Sequence, residues 1–399
     1  MLQRSIDKDT ALAGPVYGSV LRPQWHLDPK ALTVNHGSFG ATPRVVLEAQ
    51  DEWRRRLEEQ PTRFMRRVLP DALRQAAGRL AAFLGADGQD LAFVENATVG
   101  CNAVLRSLRL SPSDEILVLS HGYAAVRNAA RFVAERSGAK VVEAVTPFPQ
   151  PSADAIVDGL KRALNPRTRI AVIDHITSPS ALVLPIERMI AACHAAGARV
   201  LIDGAHGPGQ VDLDLGRLGA DWYAGNCHKW LMAPKGCGFL WARPDRQDGL
   251  HPVTISHGYA KGFLAEFDWT GTRDPSNFLA VEAALDFHAS LGGPALRARN
   301  AALAGAAAQM LASRLGTEIG ATGALHAAMA LVRLPVGDPA TAERAQELRG
   351  RLLDEFDCDA PIHPLADGIW LRLSAQAYND MADFERLGDV LTRLVHSNT

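Results

Sequence analysis

The chain has 399 residues, 47% hydrophobic and 22% charged, with a formal net charge of −2. That length exceeds what one hydrophobic core usually supports, so two domains, or a large one with a smaller companion, are expected. The charge balance offers no basic footprint for nucleic acid, and no apolar run approaches the roughly 18 residues of a membrane span. The first residues, MLQRSIDKDTALAG, carry no apolar stretch behind their charges, so no secretory signal is expected. Cys101, Cys193, Cys227, Cys237 and Cys358 are scattered without a CxxC pair, which reads as reduced thiols in a cytoplasmic protein with no metal knuckle.

In chain order, the first ~30 residues lack periodicity and read as an arm. From about 85 to 245, short β-branched runs alternate with amphipathic helical stretches. LAFVE (91–95), EILVL (115–119), KVVEAV (140–145), RIAVIDH (169–175) and RVLIDG (199–204) read as buried strands. YAAVRNAARFVAERSG (123–138) and PIERMIAACHAAG (185–197) read as helices, the latter opened by proline and closed by glycine. This alternation predicts a mostly parallel sheet covered on both faces, with ligands bound beyond the carboxyl ends of its strands. After 275 the pattern becomes α+β. Helical NFLAVEAALDFHASLGG (277–293) runs into an alanine-rich helix, then come strand-like ALVRLP (330–335) and GIWLRLS (368–374) and a last helix.

Three features collect at the strand ends. FVENATVGCNAVL (93–105) runs through Asn96, Ala97 and Thr98 into a helix, and backbone N–H groups at such a terminus attract anions; a plain N-cap would look the same. RVLIDGAH ends in Asp203 and His206, and an acid closing a buried strand is costly unless a cation meets it or it caps the next turn. DWYAGNCHKWLMAPKGCGFLW (221–241) sets Lys229 between aromatic strands. Desolvation there would lower the amine pKa and make it nucleophilic, although lone lysines usually snorkel to solvent.

Taken together, these motifs resemble the class V aminotransferase family of pyridoxal-phosphate enzymes. The spacing of Asp203 and Lys229 matches that family's Asp-x-Ala-x and His-Lys elements, and the resemblance runs from about Trp25 to Tyr378. It implies the fold-type I architecture, an α/β fold. A large domain (31–275) would carry a mostly parallel seven-stranded sheet, beside a small α+β domain (276–399) joined by the arm (1–30). It implies pyridoxal 5'-phosphate as cofactor, Lys229 as Schiff-base lysine and proton shuttle at Cα, and Asp203 as partner of the pyridine nitrogen. His206 would neighbour the ring hydroxyl, and Ala97, Thr98, Asn226 and His228 would cup the phosphate. Thr272, in WTGTRD (269–274), would reach the phosphate of a second subunit, making a homodimer with shared sites. Tyr123 or His121, in SHGYAAV (120–126), would stack on the ring, Tyr123 being favoured. Arg372 would grip the substrate carboxylate, a contact its fork suits better than lysine.

VNHGSFGATPRVVLEAQDEWRRRLEEQPTRFMRR (34–67) and DHITSPSALVLPI (174–186) most resemble the isopenicillin N epimerase-like group. This places Asn35 and His36 near the substrate, makes Arg63 and Arg66 candidates for an acidic side chain, and reads Thr42-Pro43 as a helix start. A cysteine desulfurase needs a reactive loop cysteine. Cys358, between two aspartates in EFDCDAPIHP, is instead expected to be structural. Three outcomes follow from loss of the Cα proton. They are epimerisation, with Tyr123 or His36 as the second acid, which the group resemblance favours; β-elimination by a carbon–sulfur lyase, the alternative; and transamination. A non-catalytic pyridoxal-phosphate-binding protein is the reading from another class.

Overall fold

A computed structural model describes residues 15–337 and 340–396; the first fourteen residues of the expected arm lie outside that range. Twelve strands occur among the described residues: β1 (Leu32–Thr33), β2 (Leu91–Val94), β3 (Glu115–Leu119), β4 (Lys140–Ala144), β5 (Thr168–Asp174), β6 (Arg199–Gly204), β7 (Trp222–Asn226), β8 (Gly238–Ala242), β9 (Met329–Arg333), β10 (Cys358–Asp359), β11 (Ile362–Leu365) and β12 (Gly368–Ser374). The large sheet has seven strands in the order β2-β8-β7-β6-β5-β3-β4. Only β8 runs antiparallel to its neighbours.

Both faces of this sheet are apolar, and the two-residue period of the strands divides the side chains between them. Leu117, Leu119, Ala171, Ile173, Val200 and Ile202 enter one core, with Ile156, Leu160, Met189 and Ile190 from the helices Ala153–Ala163 and Ile186–Ala195. Ile116, Val118, Ile170, Val172 and Leu201 enter the other, with Cys101, Val104, Val126 and Val133 from the helices Ala97–Ser107 and Ala124–Ser137. Each such Leu, Ile or Val contributes roughly 1.5–3 kcal/mol through burial. That is why continuous hydrophobic runs such as EILVL fold here as central strands.

The register brings the strand ends level. Asp174 is paired with Asp203 across β5 and β6, while Val94 and Asn226 both face Gly238, so β2 and β7 end at one height.

A second antiparallel sheet, β11-β12-β9, packs with the helices Ala342–Phe356 and Met381–His396 on its own apolar core. Leu32 and Val34 join this core, and β1 pairs with β10. Residues after 275 do not all go there. Phe278, Leu279, Val281, Ala284 and Leu285 pack with the large sheet, and the helix Pro294–Leu315 bridges the two cores, with Leu296 in the first and Ala304 in the second. Nearer the N-terminus, Gly18 N–H donates to Ala377 O (2.7 Å), and Trp25 wedges edge-on against Phe287 and Tyr378. Thr42 does not cap the helix Arg44–Glu59: Pro43 holds the cap position, and the Thr42 hydroxyl donates to Ala233 O. Among the described residues no helix is long and apolar enough to cross a membrane.

Candidate active site

A cavity of about 470 Å³ opens at the carboxyl ends of the large sheet, and Ala97, Thr98, Tyr123, Asp203, His206, Asn226, His228 and Lys229 all line it. At its floor Asp203 is buried, with Oδ1 accepting from Ala205 N–H (3.1 Å). Burial raises its pKa, opposed by that hydrogen bond and by the charge of Lys229. Asp174 lies alongside, buried, with Oδ1 accepting from Tyr123 N–H (3.1 Å). Burial and the Asp203 charge push the Asp174 pKa well above the ordinary carboxylate range. Two adjacent buried carboxyls resist ionising together, so the pair favours holding a proton.

The loop from β7 to β8 carries Lys229. Cys227 and His228 N–H groups both donate to Cys237 O, which folds the Pro-Lys-Gly-Cys-Gly turn back on the strand end. Nζ stands 3.2 Å from His206 Nε2. The amine opens on the cavity, yet the protein packed around it lowers its pKa to about 7, chiefly by desolvation, then by the positive charge of Arg372, with Asp203 opposing. A neutral amine is therefore available near neutral pH.

His36 supports this loop from behind. Its Nε2 donates to Lys229 O (3.0 Å), and its Nδ1 accepts from Tyr378 O–H (2.9 Å). Both its nitrogens are used, burial lowers its pKa to about 4, and His36 does not line the cavity. Gly40, at φ +71, closes the same turn, where a Cβ would stand 2.1 Å from His228 O; only glycine fits.

At the other end of the cavity, Asn96 caps the helix Ala97–Ser107 through Val99 N–H. Ala97 N–H donates to Asn226 Oδ1 (2.8 Å), so it is already spent, and Thr98 and the Asn226 amide N–H₂ are left to meet an anion. His228 Nδ1 donates to Cys237 O (3.0 Å), which leaves its Nε2 for the cavity.

Tyr123 forms a wall of the cavity, whereas His121 bonds Ser180 through Nδ1 (3.0 Å) and meets Phe148 edge-on. Arg372, on β12, is buried just behind the wall. Nη1 donates to Ser178 O and Oγ, and Nη2 to Ser38 Oγ and Asn35 Oδ1, while buried Nε–H finds no partner among the described residues. Ser38 and Ser178 themselves line the cavity. Asn35 thus orients Arg372 and is held in turn by Asp359 (2.7 Å). Thr272 is exposed and off the cavity, although its neighbour Arg273 pairs with Glu95 at the rim (2.5 Å). Arg63 and Arg66 are exposed and apart from it. Among the described residues no cluster of three or more His, Cys, Asp or Glu could hold a metal.

Cys358 is buried in β10, and burial followed by the Asp359 charge pushes its thiol up to about 12. Cys358→Ser is expected to retain turnover within about twofold, because a buried neutral thiol is a small hydrophobe. Complete loss of sulfur release with the fold intact would restore a persulfide role.

Two residues of the cavity escaped the sequence reading, Asp174 and Ser178. Asp174 had the same signature as Asp203, an acid closing an apolar strand. Ser178 carried no local signal.

The residues fit pyridoxal phosphate. A buried acid without a strong cationic partner suits a pyridinium, a low-pKa amine suits an aldehyde, and a helix N-terminus with free donors suits a phosphate. The model of the family described as aminotransferase class V matches residues 40–350. Isopenicillin N epimerase of Amycolatopsis lactamdurans is 36% identical, covering 94% of this chain and 97% of that protein. A probable chloroplastic L-cysteine desulfhydrase of Arabidopsis thaliana is 34% identical, covering 93% and 84%. Among solved structures, the cystine C–S lyase C-DES with its product cysteine persulfide superposes with a TM-score of 0.74 at 25% identity, covering 92% of this chain and 98% of that one.

Proposed function

The chain belongs to the class V aminotransferase family of pyridoxal-phosphate enzymes, and from that premise we propose that it removes the Cα proton of a small amino acid and eliminates a thiol from its β-carbon. The carrying observation is the Lys229 amine, held near neutrality beside Asp203 and in reach of a single buried guanidinium, Arg372.

When bound, the cofactor supplies an electron sink for the pair left at Cα. Lys229 Nζ takes the Cα proton, and its depressed pKa leaves the base form populated at neutral pH. Asp203 would face the ring nitrogen and favour its protonated form, with Asp174 beside it. Thr98, Asn226 and His228 would hold the phosphate, and Tyr123 would cover the ring and exclude water. Arg372 turns its fork to the α-carboxylate, with Ser38 and Ser178 exchanging their bonds to it for bonds to substrate. The net change converts a cysteine-type amino acid and water into thiol, pyruvate and ammonium.

The cavity favours a substrate without an acidic side chain, because among the described residues no arginine lines it, Arg372 lies just behind its wall, and Arg63 and Arg66 are exposed and apart from it. Epimerisation is the second reading. With His36 occupied, it rests on Tyr123, whose half-exposed ring borders the cavity. The family resemblance of Thr272 supports a homodimer in which it serves the neighbouring copy's phosphate, and its exposed position leaves it open to a partner.

The test is a product screen with the cofactor-loaded enzyme in D₂O over cysteine, cystine and other L-amino acids. Pyruvate with released thiol or sulfide is the expected result. Deuterium at Cα with mixed stereoisomers and no pyruvate would overturn elimination in favour of epimerisation.

A further inference from the structure

Beyond the lysine and the aspartate, one buried triad has a logic of its own. His206 is 2% exposed and lies between Trp230 and Lys229. Trp230 Nε1 stands 3.2 Å from His206 Nδ1, and Lys229 Nζ stands 3.2 Å from His206 Nε2. An indole N–H only donates, so Nδ1 must be the acceptor and carries no proton. A neutral imidazole then holds its proton on Nε2. That proton faces the amine, and the amine must accept it through its lone pair. A charged lysine has no lone pair and would need an acceptor where the ring presents a donor.

We propose that Trp230 is a positioning residue for Lys229: by fixing His206 in the Nε2–H tautomer, it keeps a donor on the amine and holds that amine in its neutral, nucleophilic form.

The surroundings hold the triad rigid. Trp230 is 1% exposed, packed with Ile176 and Met329, and tilted against the His36 ring at 5.2 Å. Gln210 Nε2 donates to His206 O (2.9 Å), and Gln210 Oε1 accepts from Ala328 N–H (2.9 Å), which fixes the histidine backbone. Burial pushes the His206 pKa well below the ordinary imidazole range and keeps the ring neutral. Sequence places Trp230 directly after the lysine, where it reads as one more apolar neighbour; the indole N–H acts only because β6 brings His206 beneath it. The proposal rests on Lys229 as the reactive lysine, but its central claim concerns a tautomer and is measured without turnover.

The experiment uses the full-length chain stripped of cofactor and labelled with ¹⁵N-histidine, the His206 signal being identified by its loss in His206→Gln. The wild-type signal is expected to show the Nε2–H pattern, and Trp230→Phe to shift it toward Nδ1–H. Capture of pyridoxal phosphate by the cofactor-free chain, followed against pH, is expected to slow about three- to tenfold in Trp230→Phe at pH values below the lysine pKa, the loss of roughly one hydrogen bond. A glutamine at 206 donates through its amide without help from an indole. Trp230→Phe is therefore expected to change capture little in the His206→Gln background. An Nδ1–H pattern in the wild type overturns the proposal with no variant needed. So does equal slowing by Trp230→Phe in both backgrounds, which reduces Trp230 to packing. If the tautomer is as stated and no cofactor is captured, the failure belongs to the functional reading.

Discussion

Lys229→Ala is expected to abolish covalent attachment of the cofactor and to lower turnover by about 10²–10⁴-fold or more, the range for loss of a positioned general base. The fold should survive, because the substitution removes an amine whose burial lowers its own pKa to about 7 and opens no cavity beyond the one already there. The measurement is borohydride reduction of the loaded protein followed by intact mass. The wild type should gain one reduced cofactor and the variant none, with thermal melting close to wild type. A retained mass increment in the variant would remove Lys229 from its role. His36, which holds the Lys229 carbonyl, keeps both its hydrogen bonds in the variant, so the loop should stay in place.

Arg372→Ala carries the second large effect. A charge-assisted contact to a substrate carboxylate contributes roughly 1.5–3 kcal/mol, so KM should rise about ten- to a hundredfold. Cofactor affinity should change far less, because Arg372 meets the cavity through Ser38 and Ser178 rather than at the phosphate end. Arg372→Lys should recover only part of the loss, since the ammonium keeps the charge and gives up the fork. A second readout follows from electrostatics. The positive charge of Arg372 helps lower the Lys229 pKa, so its removal should move that pKa upward and shift cofactor capture to higher pH. An unchanged KM would take Arg372 out of the substrate site, whatever happens to the lysine.

The candidate site was unevenly legible in the chain. Lys229 and Asp203 stand out because each breaks a rule of its neighbourhood: a cation among aromatic strands, and an acid at the end of an apolar one. His36 broke a similar rule and pointed the wrong way. A histidine beside small residues reads as a substrate neighbour, while here its two nitrogens are spent on Tyr378 and on the Lys229 carbonyl, partners 342 and 193 positions away. Ala97 sits where a phosphate donor was expected, yet its N–H is taken by Asn226 from a strand far along the chain. Asp174 carried the same mark as Asp203 and went unassigned, since the two acids matter to each other only once β5 and β6 are paired in register.

What the sequence determined by itself is local: the two-residue and 3.6-residue periods, the alternation that makes the sheet mostly parallel, and the polar residues that interrupt buried strands. Those follow from backbone geometry and desolvation, which act within a few residues. The tertiary structure alone decided which groups share the cavity and in what protonation state. β12 of the small sheet brings Arg372 behind Ser38 and Ser178, and the end of β6 sets His206 between Trp230 and Lys229. A hydrogen bond between distant segments depends on register and approach, and the local pattern of residue types does not contain either.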